Sequence, residues 1–310
     1  MIGRFFVTLV KHGVNGVLRP DAEEAGASSG RGDPGAERVI ALDQSNALVK
    51  GRHGWFLANA FDHYLGLALV EYGEYGEIEH AFLDSLVSPG DHVIEVGANI
   101  GSHTVGLAKA VGTQGSVLAI EPQPAIYRVL CANLALNALS NVASWQLGCG
   151  AQAGSMRVPN IDYQTRSLHN SGAVSLESDG PGIPVSIVPL DELGRDLPSL
   201  RLLKIDVEGM EREVLEGARG LIQKHRPLLY VENDRFEKSP ALIQWILDAQ
   251  YRLWWHLPPL FNPANYFGVT ENIYGAVVSI NVFCVPREME LPVTGPLLEV
   301  TDPAFHIMRQ

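Results

Sequence analysis

Seven short apolar runs spaced along this 310-residue sequence predict an α/β fold with a mostly parallel sheet and helices on both faces. Most runs are followed by an amphipathic helical stretch, and they read as continuous apolar strings rather than alternations. Strands buried on both faces lose the alternation that a half-solvated antiparallel sheet shows. A composition of 46% hydrophobic and 19% charged residues can fill such a core and excludes collagen, coiled coil and wholesale disorder.

The chain opens with MIGRFFVTLVKHG, whose apolar run over residues 5–10 is too short for a membrane span and lacks a clear cleavage site. A partly ordered arm is expected. Residues 20–37, rich in Gly, Ser, Ala and acid, read as a flexible linker, so 1–38 forms an arm plus linker. Residues 39–76, with Trp55, Phe56, Phe61 and Tyr64, read as a small N-terminal cap of short strands and turns. The main domain is expected over 77–290, with a C-terminal tail over 291–310.

Within that domain a helix over 77–86 stops at Ser88-Pro89-Gly90 and leads into the apolar run HVIEVGA. A helix over 102–110 follows. The unit repeats as a strand at 116–122, a helix at 125–136 and a third strand at 143–148. Later come strands at 200–207, 227–233, 251–257 and 278–285, with helices at 210–223 and 240–250. Residues 150–190 carry two short alternating segments that read as an inserted antiparallel hairpin. Residues 258–275 form a long turn-rich loop with several aromatics.

The formal net charge of −12 and the absence of any Lys/Arg block argue against a nucleic-acid partner. Three unpaired cysteines, Cys131, Cys149 and Cys284, fit a reducing, cytoplasmic setting.

The string Glu95-Val96-Gly97-Ala98-Asn99-Ile100-Gly101 joins an apolar strand to a helix, the turn at which open parallel sheets bind ligands. Asn99 stands where a dinucleotide fingerprint would have its second glycine, which lowers the case for a nicotinamide cofactor. Glu121 follows Gly97 by 24 residues and ends the second strand, where a carboxylate accepts hydrogen bonds from a ribose diol. Acids at 95, 121 and 206 repel phosphate and favour a phosphate-free adenosine with positive charge. S-adenosylmethionine meets that demand.

The sequence resembles the FkbM family of S-adenosylmethionine-dependent methyltransferases, through YGEYGEIE (72–79), IEVGANIGSHT (94–104), AIEPQP (119–124), the NLALN helix end (133–137) and LKIDVEGMEREVLEGA (203–218). The resemblance implies a Rossmann-like class I methyltransferase whose seven strands lie in the order 3-2-1-4-5-7-6, the seventh antiparallel. It implies that Glu95, Gly97, Ala98, Asn99, Gly101 and Thr104 belong to the loop and helix start holding the methionine part. Glu121, Pro122 and Gln123 are then expected at the ribose, and residues 147–149, with Gly148 and Cys149, at the adenine edge.

Asp206 and Glu208 close the fourth strand and Glu232 the fifth. Asp206 is expected at the cofactor and, with Glu232 and His256, as a candidate catalytic group. His169 is a second candidate base. Glu208 reads equally as a helix cap. The three acids suit Mg²⁺ in principle, yet solvation on the surface is the expectation and no metal is assigned. Tyr75, Glu77 and Glu79 are candidates to close over the cofactor. Trp254, Trp255, Phe261, Tyr266 and Phe267 are candidates for an acceptor wall, and Asn262, Asn265 and Asn272 for orienting acceptor hydroxyls. The expected activity is O-methyl transfer to a glycan, small-molecule or natural-product hydroxyl. A nicotinamide-dependent oxidoreductase and a non-catalytic binding module remain the alternatives.

Overall fold

The computed structural model describes residues 38–163, 170–293 and 297–307. The expectations for the N-terminal arm, its linker and His169 therefore lie outside the described residues. Strands β1 (Val39–Ala41), β2 (Asn46–Lys50) and β3 (Trp55–Asn59) form an antiparallel sheet, followed by α1 (Leu65–Tyr72). Helix α2 (Glu77–Leu86) carries Glu77 and Glu79 in its first turn, where carboxylates complement the helix dipole.

The main sheet starts with β4 (His92–Val96), followed by α3 (Ser102–Val111), β5 (Ser116–Ile120), α4 (Pro124–Leu136) and the edge strand β6 (Val142–Trp145). Pro124 opens α4 at a position where its missing N–H costs nothing. A second small sheet contains β7 (Gly148–Cys149), β8 (Gly154–Val158) and β9 (Ile183–Val188). The chain then continues through α5 (Leu190–Leu193), β10 (Leu202–Ile205), α6 (Glu211–Glu216), α7 (Arg219–His225), β11 (Leu228–Glu232), α8 (Ser239–Asp248), β12 (Tyr251–His256), β13 (Asn281–Pro286) and β14 (Leu298–Val300).

Read from one edge, the main sheet runs β6-β5-β4-β10-β11-β13-β12-β14, which is the expected order 3-2-1-4-5-7-6 with one strand added. β13 is antiparallel to both neighbours, and the added β14 is antiparallel to β12. The segment expected as a tail after residue 290 thus returns to the sheet, with Val300 buried against its face.

Three boundaries differ from expectation for physical reasons. The third strand ends at Trp145, 53% exposed at the sheet edge, after which the chain turns inward and Gly148–Cys149 pairs with β9 instead. The expected insert hairpin, β8 with β9, is present, but β7 makes it three-stranded. The helix expected over 210–223 is two helices, because Asp191 of α5 accepts the Gly220 and Leu221 amides at 2.9 and 2.8 Å and so starts a fresh helix there.

The sheet has a core on each face. One packs Ile94, Ile205 and Val231 against Val214, Ile243 and Trp255; the other packs Val93, Val117 and Tyr230 against Leu83 and Leu107. Asn133 of α4 and Asn137, which caps its C-terminus, hold the cap, their side chains accepting the Leu57 and Trp55 amides at 2.6 and 3.1 Å and standing in for a missing strand beside β3.

Helices α2 and α3 meet at His80, whose fully buried ring lies against Gly106; a Cβ there would sit 1.9 Å from His80 Cε1. Gly106→Ala, which gains about 1 kcal/mol in an unhindered helix, is expected to lower stability by about 2 kcal/mol through this overlap. In a His80→Ala background the same substitution should become stabilising, and urea denaturation of the four proteins of the cycle reads the sign change.

Candidate functional site

The cavity of about 350 Å³ lies at the carboxyl ends of β4, β5, β10 and β11, a volume within the range of small-molecule pockets. The insert covers one side through residues 170–174, the cap and α2 another through Tyr64, Tyr75 and Glu79, and residues 277–281 a third.

Lys204 organises its floor. It lies on β10, 2% exposed, opposite Glu95 of β4 in the parallel register. Its Nζ lies 3.1 Å from Asp206 Oδ2 and 3.7 Å from Glu95 Oε1. Burial alone would depress the ammonium's pKa, but Asp206, Glu95 and Glu79 outweigh it and hold the pKa above its ordinary value. Thr104 donates to the other oxygen of Glu95 at 2.6 Å. Burial pushes the Glu95 carboxyl up, against the opposing pull of Lys204 and Thr104.

At Gly97 the turn after β4 passes the backbone of Asp206 closely, and a Cβ there would fall 1.7 Å from the Asp206 carbonyl oxygen. Its φ of 87° is also left-handed, so two constraints demand glycine. Asn99 follows at φ 48° and turns its amide to Glu121 Oε2 at 3.0 Å, while the Gln123 amide reaches Oε1 at 2.9 Å. Glu121 is 2% exposed, and burial pushes its carboxyl up to about 7. Each carboxylate oxygen keeps a lone pair beyond the one its amide uses.

Gln123 donates to the Ser171 carbonyl at 2.8 Å and accepts from the Tyr163 hydroxyl at 2.6 Å, tying the insert to the cavity. The hydroxyl of Ser171 donates to Asp62 of the cap.

Ala98, Pro122, Gly148 and Cys149 also line the cavity. Gly101 and Thr104 do not: Gly101 caps α3 against Leu130, and Thr104 stands behind Glu95, so both position the lining rather than form it. Leu147 is buried in the core.

The expectation that His256 is a catalytic base does not survive. Its Nδ1 lies 2.8 Å from the Tyr230 hydroxyl and its ring packs on Phe82 of α2, away from the cavity, with burial pulling its pKa down to about 4.

Tyr75 and Glu79 face the cavity, whereas Glu77 pairs outward with His53 at 2.6 Å. The expected aromatic wall is absent from the described lining. Trp254 and Trp255 fill the sheet cores, and Phe261 and Phe267 pack on the cap side. Asn262, Asn265 and Asn272 accept nearby backbone amides and shape their own turns.

Glu208 does not cap the next helix; it pairs with Arg235 and adopts φ 56°, a left-handed conformation costly for a residue with a side chain. Burial, reinforced by Asp206, pushes its carboxyl up to about 8. Lys204, His103, Ser171 and Asn281 also line the cavity and carry no motif that marks them in the sequence. For Lys204 a signal existed: a lone charge within LRLLKIDV has to be paired if that strand is buried.

The Methyltransferase FkbM domain model matches residues 95–253, more than half of the chain and the span from β4 into β12. The chain belongs to the FkbM methyltransferase family. Relatives within reach of sequence comparison are Methyltransferase sdnD of Sordaria araneosa, 29% identical over 174 residues, covering 46% of this chain and 67% of that protein. Hexuronic acid methyltransferase AglP of Haloferax volcanii is 28% identical over 135 residues, covering 43% and 52%. The chain thus spans between about half and two thirds of these relatives' lengths. Among solved structures, the methyltransferase FkbM from Methylobacillus flagellatus KT overlaps with a TM-score of 0.42 at 16% identity, covering 67% of this chain and 50% of that one. The match leaves the cap, α2 and the residues after Leu253 outside it.

Removing the ammonium should leave Glu95 buried without its cation. Lys204→Met is expected to cost roughly 3 kcal/mol of stability in chemical denaturation, the order found when one member of a buried ion pair is deleted. The isosteric loss of charge, not of volume, is what the measurement reads.

Proposed function

We propose that the cavity binds S-adenosylmethionine and that the protein transfers its methyl group to a hydroxyl of a glycan or small molecule. The observation that carries this reading is the charge of the lining. Seven carboxyl groups face the cavity, at Glu79, Glu95, Glu121, Asp206, Glu208, Glu232 and Asp234. Its two strong cations are already engaged, Lys204 with Asp206 and Glu95, and Arg235 with Glu208 and Asp234. Such a lining disfavours a pyrophosphate and favours a ligand with a sulfonium and an ammonium. This also weighs against the nicotinamide alternative.

In this reading the turn from Glu95 to Asn99 holds the methionine part, Glu121 with Pro122 and Gln123 the ribose, and Gly148 and Cys149 the adenine edge. The acceptor oxygen would supply the electron pair of the new bond to the methyl carbon, the carbon–sulfur pair would stay on sulfur as a neutral thioether, and the hydroxyl proton would pass to a carboxylate of the cavity wall. Asp206 or Glu232, both lining the cavity, is assigned that role. The protein's main contribution is alignment in a site closed over by the insert. A glycan acceptor is supported by the likeness to the hexuronic acid methyltransferase AglP. The net charge of −12 supports an acceptor other than nucleic acid, and the free cysteines support a cytoplasmic setting. No described helix is long and apolar enough to cross a membrane.

Calorimetry with S-adenosylhomocysteine tests the reading without an acceptor. Binding in the micromolar range is expected, and Glu121→Gln should weaken it about tenfold by removing a charged acceptor of the ribose hydroxyls. Glu121 must be ionised to accept both hydroxyls, and its carboxyl sits at about 7. Affinity should therefore rise with pH through about 7, with proton release, and this rise should flatten in Glu121→Gln. Binding of NADH, followed by its fluorescence, in place of S-adenosylhomocysteine would favour the oxidoreductase.

A further inference from the structure

Neighbouring parallel strands deliver three acids to one wall of the cavity: Asp206 and Glu208 after β10, and Glu232 at the end of β11. One oxygen from each lies within 4.8 Å of the other two. The sequence suggests solvated carboxylates, but Glu232 Oε2 is shielded from solvent and has no hydrogen-bond partner among the described residues. Arg235 serves Glu208 and Asp234, and Lys204 serves Asp206, so neither cation reaches Glu232 in an ion pair. Burial, then the charges of Asp206 and Glu208, pushes the Glu232 carboxyl well up.

A second observation is independent of the acids. Asn281 of β13 stands opposite Glu232 in the antiparallel register, lines the same cavity, is 3% exposed, and its amide nitrogen has no hydrogen-bond partner of ordinary geometry among the described residues. A shielded amide without a partner is costly. The oxygen and nitrogen of an Asn side chain have nearly the same shape, so a half-turn presents the carbonyl oxygen at the same point.

We propose that Asp206, Glu208, Glu232 and Asn281 form a binding site for a divalent cation of the Mg²⁺ or Mn²⁺ type. All four donors are oxygens, the choice of hard cations. Four protein ligands leave coordination positions for the acceptor. The site ends β10 and β11, while Glu121 ends β5 on the far side of β4. Three strand spacings of about 4.8 Å put roughly 14 Å between Glu232 and Glu121, so the cation stands away from the nucleoside subsite and beside the space left for an acceptor. A hydroxyl bound there would be oriented and would ionise more readily, its proton passing to the carboxylate oxygen of Asp206 or Glu232 that the cation leaves free, since each acid offers the cation one oxygen. That role rests on the methyltransferase reading above; the binding of the cation does not.

The test uses the full chain and Mn²⁺ alone, followed by calorimetry and by the loss of the free-ion electron paramagnetic resonance signal. The expected result is stoichiometric binding that Glu232→Gln and Asp206→Asn each weaken by at least about tenfold, whereas Glu299→Gln, an exposed acid on β14, leaves it unchanged. Mn²⁺ should also raise the melting temperature of the wild type but not of the two site variants. Absence of Mn²⁺ binding by the wild type at millimolar concentration overturns the proposal, as does binding that both site variants retain. Circular dichroism checks that Glu232→Gln folds; if it does not, Asp206→Asn, whose side chain is 36% exposed, decides alone. S-adenosylhomocysteine titrated into the wild-type protein separates the two ideas. Its binding without Mn²⁺ binding removes the cation and keeps the methyltransferase, and the reverse outcome keeps the cation and removes the cofactor assignment.

Discussion

A single ammonium group inside the sheet, Lys204 Nζ, is the constraint on which the site depends. On a strand buried on both faces it loses its hydration, and only anions brought to the same place offset that loss. Glu95 is its register partner on β4, and Asp206 follows it on its own strand. A slip of one residue between β4 and β10 would turn one of the two side chains to the opposite face and leave a buried charge alone. The ion pair therefore selects the register of the two central strands. That register in turn brings Gly97 against the Asp206 carbonyl and opens the cavity between the strand ends.

The walls depend on polar contacts between segments far apart in the chain. Asp62 of the cap holds Ser171 of the insert, and Ser171 meets Asn99 and Gln123 of the glycine turn and the second strand end. On the other side, Glu74 accepts from Arg52, Asn262 and the Tyr266 amide, so one carboxylate fastens the long loop after β12 to the cap. The family match begins at Glu95 and ends at Leu253. Tyr64, Tyr75 and Glu79 precede it, and the lining residues 277–281 follow it. The glycine turn, the insert residues 170–174 and most of the wall thus lie inside the matched span, while the cap, α2 and residues 260 and 277–281 complete the wall from outside it.

Continuous apolar runs make the seven strands legible, whereas their order comes from the family resemblance, and the bounds of helix α2 are legible because Ser88-Pro89-Gly90 closely follows it. Glu121 was legible from its spacing after Gly97. What escaped was decided by contacts that no local pattern encodes. The break between α6 and α7 rests on Asp191, about 30 residues away in sequence. β14 is only three residues long and carries a weak alternation. His256 ends its strand, as a ligand-facing residue would, but its ring turns toward Phe82 and Tyr230, a direction that strand position alone leaves undetermined. Ser171 and Asn281 are ordinary polar residues in sequence, and their importance comes from Asp62, 109 positions distant, and from the register of β11 with β13.

The same imbalance of charge bears on turnover. Glu79 and Glu121 are both pushed up to about 7 by burial, so near neutrality each exchanges its proton at little cost. On the proposed reading the ligand enters as a cation and leaves as a neutral thioether. A unit charge 4 Å from a carboxylate is worth roughly 4 kcal/mol at an effective dielectric of 20, so carboxylates that ionise beside the sulfonium lose that attraction when the methyl group departs. They can then take up protons again, since burial favours their neutral form. A lining rich in buried acids and poor in unengaged cations would in this way hold the methyl donor more tightly than the product that must be exchanged for it, using groups whose protonation follows the charge of the occupant.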